Sequence, residues 1–181
     1  MNIFFISDMH FEHSAPYTKF LRDDGTMLRP HGSAKEGDAI MVQNWNSVVK
    51  PEDKVYVVGD VSFNRGANAL DIFYRLNGEK VLIKGNHDEL KLSKYAEHFK
   101  DVRGSHVVDK LLLTHIPVHV QCLSRYEANI HGHLHYREIQ KGTSVIPDPR
   151  YFNVSVERIN YTPIELGSLR QELKNRFEKY L

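Results

Sequence analysis

Five short apolar runs in this chain each stop abruptly at a cluster of Asp, His, Asn or Gly, and that recurrence restricts the fold more than any other feature. Ile3–Ile6 stops at Ser7-Asp8-Met9-His10, and Val55–Val58 stops at Gly59-Asp60. Val81–Ile83 ends just before Gly85-Asn86-His87-Asp88, Leu111–Leu113 ends at Thr114-His115, and Ala128–Ile130 ends at His131-Gly132-His133. Continuous apolar runs of this length read as strands buried on both faces. Residues just past the carboxyl ends of such strands line a shared crevice in an open α/β sheet.

Helical spacing appears between the first three runs. Asp38–Val49 places Met41, Trp45, Val48 and Val49 on one face, and Pro51 closes it. Ala67–Leu76 places Ala69, Leu70, Phe73 and Leu76 together, with Gly78 just beyond. Strand–helix–strand alternation predicts a largely parallel sheet covered by helices. From His98 onward the helical spacing fades, and Val102–Val108, Leu111–Thr114, Ala128–His131 and Tyr151–Val156 read as strands. Thr162-Pro163-Ile164-Glu165 and Ser168-Leu169-Arg170-Gln171 both match capping boxes, which predicts a last helix with Leu166, Leu169, Leu173 and Phe177 as its apolar stripe. Pro16–Gly37 lacks periodicity and reads as one long loop, a feature often tied to function. The expectation is one α/β domain over residues 1–181.

A hydrophobic fraction of 41% and a charged fraction of 26% exclude a disordered chain. A net charge of +1 gives no case for a general nucleic-acid or membrane-surface binder. The one cysteine, Cys122, excludes an internal disulfide and fits a reducing compartment. No apolar run approaches the ~20 residues of a membrane span, so a soluble, cytoplasmic protein is expected. The eleven histidines are the compositional oddity, and metal ligation is one of the few uses for so many.

The strand-end rule gathers Asp8, His10, Asp60, Asn86, His87, His115, His133 and His135. Carboxylates and imidazoles without a thiolate suit Mn²⁺, Fe or Zn²⁺ better than copper, and Mg²⁺ alone prefers oxygen. Singly, most of these clusters have ordinary explanations as turns. Three imidazoles within His131-Gly132-His133-Leu134-His135 do not, and they point to a metal.

In this order the clusters resemble the calcineurin-like metallophosphoesterase superfamily. Its blocks D-x-H, G-D, G-N-H-[DE], a lone H and G-H-x-H appear as Asp8-Met9-His10, Gly59-Asp60, Gly85-Asn86-His87-Asp88, His115 and Gly132-His133-Leu134-His135. They span residues 8 to 135, about 70% of the chain. Trp45-Asn46-Ser47-Val48-Val49 and Asn153-Val154-Ser155-Val156 look like the small bacterial and phage branch. The resemblance implies a four-layer α/β/β/α sandwich with two mixed sheets and two divalent metals, Mn²⁺ first, with Fe, Zn²⁺ or Ni²⁺ as alternatives. By position, Asp8, His10 and His135 would hold the first metal, Asn86, His115 and His133 the second, and Asp60 would bridge them. His87 and Asp88 are the implied catalytic residues, His87 facing the scissile phosphate and Asp88 supporting the turn that presents it. The implied reaction is attack on phosphorus by a water made acidic between two cations ~3.5–4 Å apart.

Three further residues are candidate substrate contacts: His13 after His10, Arg65 past Gly59-Asp60, and Arg29 in the long loop beside His31. His31, His98, His106, His119 and His131 otherwise read as ordinary surface or structural residues. The superfamily's protein phosphatases carry G-D-x-x-D-R-G, whereas Gly59-Asp60-Val61-Ser62-Phe63-Asn64-Arg65-Gly66 is one residue longer and has Asn64 before the arginine. The expected substrate is therefore a small phosphodiester, such as that of a nucleotide, with no stable nucleic-acid binding, on a monomer or homodimer. The alternatives are a phosphomonoesterase or protein phosphatase, and a metal-binding scaffold without catalysis.

Overall fold

The computed structural model describes residues 1–66 and 68–180. Strands β1 (Ile3–Ile6), β2 (Lys54–Val57), β3 (Glu79–Ile83) and β4 (Asp101–Arg103) run parallel, and β9 (Ile164–Glu165) pairs antiparallel with β1 to give the order β4-β3-β2-β1-β9. A second sheet has the order β5-β6-β7-β8, from β5 (His106–Val108), β6 (Leu111–Leu113), β7 (Ala128–His131) and β8 (Tyr151–Asn153), with β6, β7 and β8 parallel and β5 antiparallel to β6. Both sheets are mixed, as expected. The predicted strand Val102–Val108 is divided: the chain turns at Gly104-Ser105, so its halves belong to different sheets.

Alternation along the strands builds two cores. Phe4 and Ile6 of β1, with Val55, Val57 and Leu82, face α2 (Ala34–Val48) through Met41, Val42 and Trp45. Phe5, Tyr56, Val58, Val81 and Ile83 face the other way, onto Leu111, Leu113, Ile130, Phe152 and Val154 of the second sheet. The outer face of that sheet is covered more thinly, by a 3₁₀ turn at Val120–Leu123 and its flanking loops over Leu112 and Tyr151.

The helices differ from expectation at their starts. Helix α2 begins four residues early because Ser33 caps it, its hydroxyl accepting from the Glu36 amide at 3.2 Å. A hydroxyl–amide bond leaves no apolar periodicity to read. The expected loop is also interrupted by α1 (Ala15–Thr18). Of the expected helix Ala67–Leu76, Ala67 lies outside the described residues, and Asp71–Arg75 forms a 3₁₀ turn. Leu70, Phe73 and Leu76 are all buried, and their spacing of three matches that tighter helix. A short helix α3 (Leu92–Ala96) follows. At the other end neither capping box is used. Ile164-Glu165 is committed to pairing with β1, and α4 (Leu166–Tyr180) starts directly after it. Leu169 and Leu173 of α4 join the core between the sheets. Among the described residues, no helix is long and apolar enough to cross a membrane.

The two sheets meet where β1 and β8 end. Ser7 pairs with Ser155, the Ser7 amide donating to the Val154 carbonyl at 2.9 Å and the Val156 amide to the Ser7 carbonyl at 3.1 Å. The carboxyl ends of β1, β2, β3, β6, β7 and β8 therefore open on one crevice.

Candidate metal centre

Every residue expected at the crevice by strand-end position arrives there by one route: a strand stops and the chain turns. The turns are tight. Asp8, His10, Asp60, His133 and His135 have φ of 56°, 45°, 55°, 70° and 51°, in the left-handed region that costs a non-glycine residue about 1 kcal/mol or more. The same backbone conformation occurs at Glu12, Asp109, Lys110, Asn160 and Tyr161, but at the crevice it falls on five of the expected site residues. Two glycines permit the close approach of the turns. A Cβ on Gly132 would strike the Asp8 carboxylate and Ser7, and one on Gly85 would strike the Asp60 carboxylate.

The carboxylates are divided between support and site. Oδ2 of Asp8 accepts from the Ser7 hydroxyl at 2.6 Å, the Ser155 hydroxyl at 2.8 Å and the His133 amide at 2.9 Å. Its Oδ1 lies 4.0 Å from Nε2 of His10. Oδ1 of Asp60 accepts from the His87 amide at 2.9 Å, while its Oδ2 lies 3.5 Å from Nε2 of His10 and 3.2 Å from Nε2 of His115. Asp60 Oδ2 thus sits between an imidazole of each expected metal position. Ligand atoms of Asp8, His10 and His135 come within 4.8 Å of one another, as do those of Asp8, Asp60 and His115. Oδ1 of Asn86 lies 3.0 Å from both Nε2 of His115 and Nδ1 of His133.

This convergence tests whether the residues fit cations. Nδ1 of His115 points at the Val58 carbonyl, 2.8 Å away, and must be the protonated nitrogen. Its Nε2 then aims a lone pair at the oxygens of Asp60 and Asn86, which also offer only lone pairs. Three acceptors at such distances need a positive charge among them, and a divalent cation supplies one. In the metal-free protein a proton takes that place. Burial alone would lower the His115 pKa, but the hydrogen bond to Asp60 and the charges of Asp8 and Asp60 override it and push it up to about 9. Asp60 is held down at about 2, burial opposing and His115 prevailing. His10 goes the other way, to about 4, because burial outweighs the two aspartates. The donor set fits cations.

The remaining expected residues divide. The exposed ring of His87 stands over the crevice with its centroid 5.5 Å from that of His10. Asp88 does not face the crevice. It is buried and accepts from the amides of Asp60, Val61 and Gly85 at 2.9, 3.0 and 2.7 Å, tying the β2 turn to the β3 turn. Those bonds turn the Asp88 carboxylate toward the backbone of the two turns. His13 stacks face to face on Phe63, centroids 3.7 Å apart, at the mouth. Arg65 is exposed and paired with Glu89 at 2.7 Å. Arg29 corrects the substrate-contact expectation: its side chain is fully buried beneath the crevice, because its guanidinium is bound to backbone carbonyls and Glu157. His131 is buried with Nδ1 on the Gly132 carbonyl, apart from the cluster.

Sequence reasoning missed Ser7, Ser155 and Glu157. Ser155 lies within the Asn153–Val156 run already singled out, and Glu157 follows one strand end as the ligands follow others, so position was the available signal. Phe63 carried none, since a lone aromatic in a loop has no pattern.

A strand-end crevice of carboxylates and imidazoles between two mixed sheets defines a metal-dependent hydrolase of the α/β class. The chain belongs to the calcineurin-like phosphoesterase family, whose sequence model matches residues 1–165. It is 36% identical over 166 residues to the uncharacterized protein MJ1445 of Methanocaldococcus jannaschii, covering 91% of this chain and 86% of that one. It is 35% identical over 91 residues to the gene 66 protein of Mycobacterium phage L5, covering 48% of this chain and 40% of the phage protein. The fold is shared with a solved protein of unknown function, AQ665 of Aquifex aeolicus, at a TM-score of 0.69 and 23% identity over 94% of this chain and 98% of that one.

Proposed function

We propose that this protein hydrolyses a phosphodiester with the help of two divalent cations, Mn²⁺ foremost. The observation that carries the reading is the meeting of lone pairs at His115 Nε2, which lies 3.2 Å from Asp60 Oδ2 and 3.0 Å from Asn86 Oδ1. Asp8, His10 and His135 would hold one cation, Asn86, His115 and His133 the other, and Asp60 would be shared. When bound, such a pair acidifies a water near neutral pH and offsets negative charge gathering on the phosphoryl oxygens.

The protein's own groups supply the rest. Asp60 is fixed through its Oδ1 by the His87 amide, so the turn that carries the shared carboxylate's partner also presents the His87 ring. That ring would protonate the departing oxygen. Asp88 and the Ser7–Ser155 pair hold the three turns in register.

Two features favour a diester with an organic substituent over a dianionic monoester. Neither arginine expected to grip a phosphate is placed to do so, since Arg29 is buried and Arg65 is paired with Glu89. The mouth is instead walled by aromatic rings: Phe63 stacked on His13, and Phe20 edge-on to His13 at 5.7 Å.

The test is release of p-nitrophenol from bis-p-nitrophenyl phosphate and from p-nitrophenyl phosphate by the Mn²⁺-loaded protein, with a chelator control. Faster, chelator-sensitive release from the diester is expected. No release from either ester or from a panel of nucleotide diesters would replace this reading with a non-catalytic metal scaffold.

A further inference from the structure

Beneath the crevice lies an ion pair, Arg29 and Glu157, whose side chains are both wholly shielded from solvent and 128 residues apart in sequence. Burying two charges costs several kcal/mol each, and replacing such a pair by apolar residues is often neutral or stabilising. Stability alone therefore gives little reason for the pair. Its geometry gives a better one.

Most polar contacts of the two side chains lead to one place. Oε1 of Glu157 accepts from Nε of Arg29 at 2.8 Å and lies 3.2 Å from Nδ1 of His135, with Oε2 at 3.3 Å from the same nitrogen. Nη2 of Arg29 donates to the Asp8 carbonyl at 2.6 Å, and Nη1 donates to the Met9 carbonyl at 2.9 Å and the Tyr17 hydroxyl at 3.3 Å. Those carbonyls belong to the segment whose ends, Asp8 and His10, are both left-handed. Only a planar, forked group meets two successive carbonyls and a carboxylate at once.

We infer that Arg29 and Glu157 are positioning residues dedicated to the Asp8–His10–His135 cation position. Glu157 takes the Nδ1 proton of His135 as a hydrogen bond, which leaves Nε2 as the nitrogen free for a cation. Arg29 clamps the Asp8-Met9-His10 turn and holds Glu157 in place. Among the described residues the other cation position has no such side-chain backing, and His115 is oriented by the Val58 backbone carbonyl. The inference rests on the two-cation reading and adds an asymmetry that reading does not contain. Outer groups that orient metal-bound imidazoles are worth about 10- to 100-fold in metal affinity.

The experiment is calorimetric titration of chelator-stripped protein with Mn²⁺, comparing wild type, Glu157→Gln, Arg29→Lys and a His135→Ala reference that identifies the step belonging to this position. Glu157→Gln and Arg29→Lys should each weaken that step about 10- to 100-fold and leave the other unchanged. Equal weakening of both steps, or none, overturns the inference while leaving the two-cation reading intact. A wild type that binds no divalent cation removes both. Should the variants not fold, nitrogen NMR of wild type loaded with cadmium-113 decides: His135 should keep its Nδ1 proton and show cadmium coupling at Nε2, and coupling at Nδ1 overturns the inference.

Discussion

On one side of Asp60, the Asp8 carboxylate rests on two serine hydroxyls, His135 on Glu157, and the backbone carbonyls of Asp8 and Met9 on Arg29. On the other side, His115 is buried but Asn86 is exposed on its turn and His133 is half-exposed. All three residues on the first side, counting Asp60 with neither, need their strain held by neighbours, since Asp8, His10 and His135 are all left-handed. On the second side only His133 is. A shared carboxylate thus joins a half that is fixed before any cation arrives to a half that is closer to solvent.

Asp60→Asn is the strongest way to break that contrast. Its Oδ2 approaches imidazoles of both halves, at 3.5 and 3.2 Å, so losing the negative charge should weaken both Mn²⁺ steps together and abolish turnover. Calorimetry that shows only one step affected would assign Asp60 to one half and end its bridging role. His87→Ala comes next. The ring belongs to neither half, and the His87 contact that orders Asp60 is made by the backbone amide, which alanine retains. Two Mn²⁺ should still bind, while kcat falls about 10²- to 10⁴-fold, the usual contribution of a general acid. Normal metal content with wild-type turnover would remove His87 from the chemistry.

The same contrast explains what the sequence allowed one to read. Runs that stop at polar clusters mark β1, β2, β3, β6 and β7 and the turns after them, because a strand buried on both faces has no polar position to spare. Ligands in such turns are therefore conspicuous. The groups that support them are not. Arg29 lies in an aperiodic segment, and nothing in its neighbourhood distinguishes a buried guanidinium from a surface one, so it read as a substrate contact. Glu157 follows the last parallel strand, yet a glutamate after a strand is ordinary. The early start of α2 and the late start of α4 were hidden for a related reason: one depends on a single Ser33 cap and the other on Ile164-Glu165 being taken by β1. Partners far away in sequence decide each case.

In the metal-free protein the two imidazoles that approach Asp60, His115 and His10, hold protons oppositely, which gives the smallest effect and the sharpest comparison. His115 is raised from its ordinary value to about 9, with Asp60 and Asp8 overcoming burial, and His10 is lowered to about 4 by burial. A group whose folded pKa exceeds its unfolded value stabilises below the unfolded value, and the effect is lost as pH rises through the folded one. His115 should therefore cost the chelator-treated protein stability between about pH 6.5 and 9. His10 has the reverse sign: it must lose its proton to be buried, so its contribution fades as pH falls from 6.5 toward about 4. Thermal midpoints measured across this range should fall on both sides by a few degrees, since ~1 kcal/mol shifts a domain of this size by about 2–4 °C. His115→Gln should shrink the alkaline limb, to which the raised His135 also contributes, and His10→Gln should shrink the acid limb, which it shares with His13 and His131, each lowered to about 4 by burial. With Mn²⁺ present the alkaline limb should reverse, because the cation replaces the His115 proton and binds more tightly as that proton leaves. An alkaline limb that persists unchanged in His115→Gln would show that the proton resides elsewhere, and with it the lone-pair meeting at Asp60 would lose its meaning as a cation site.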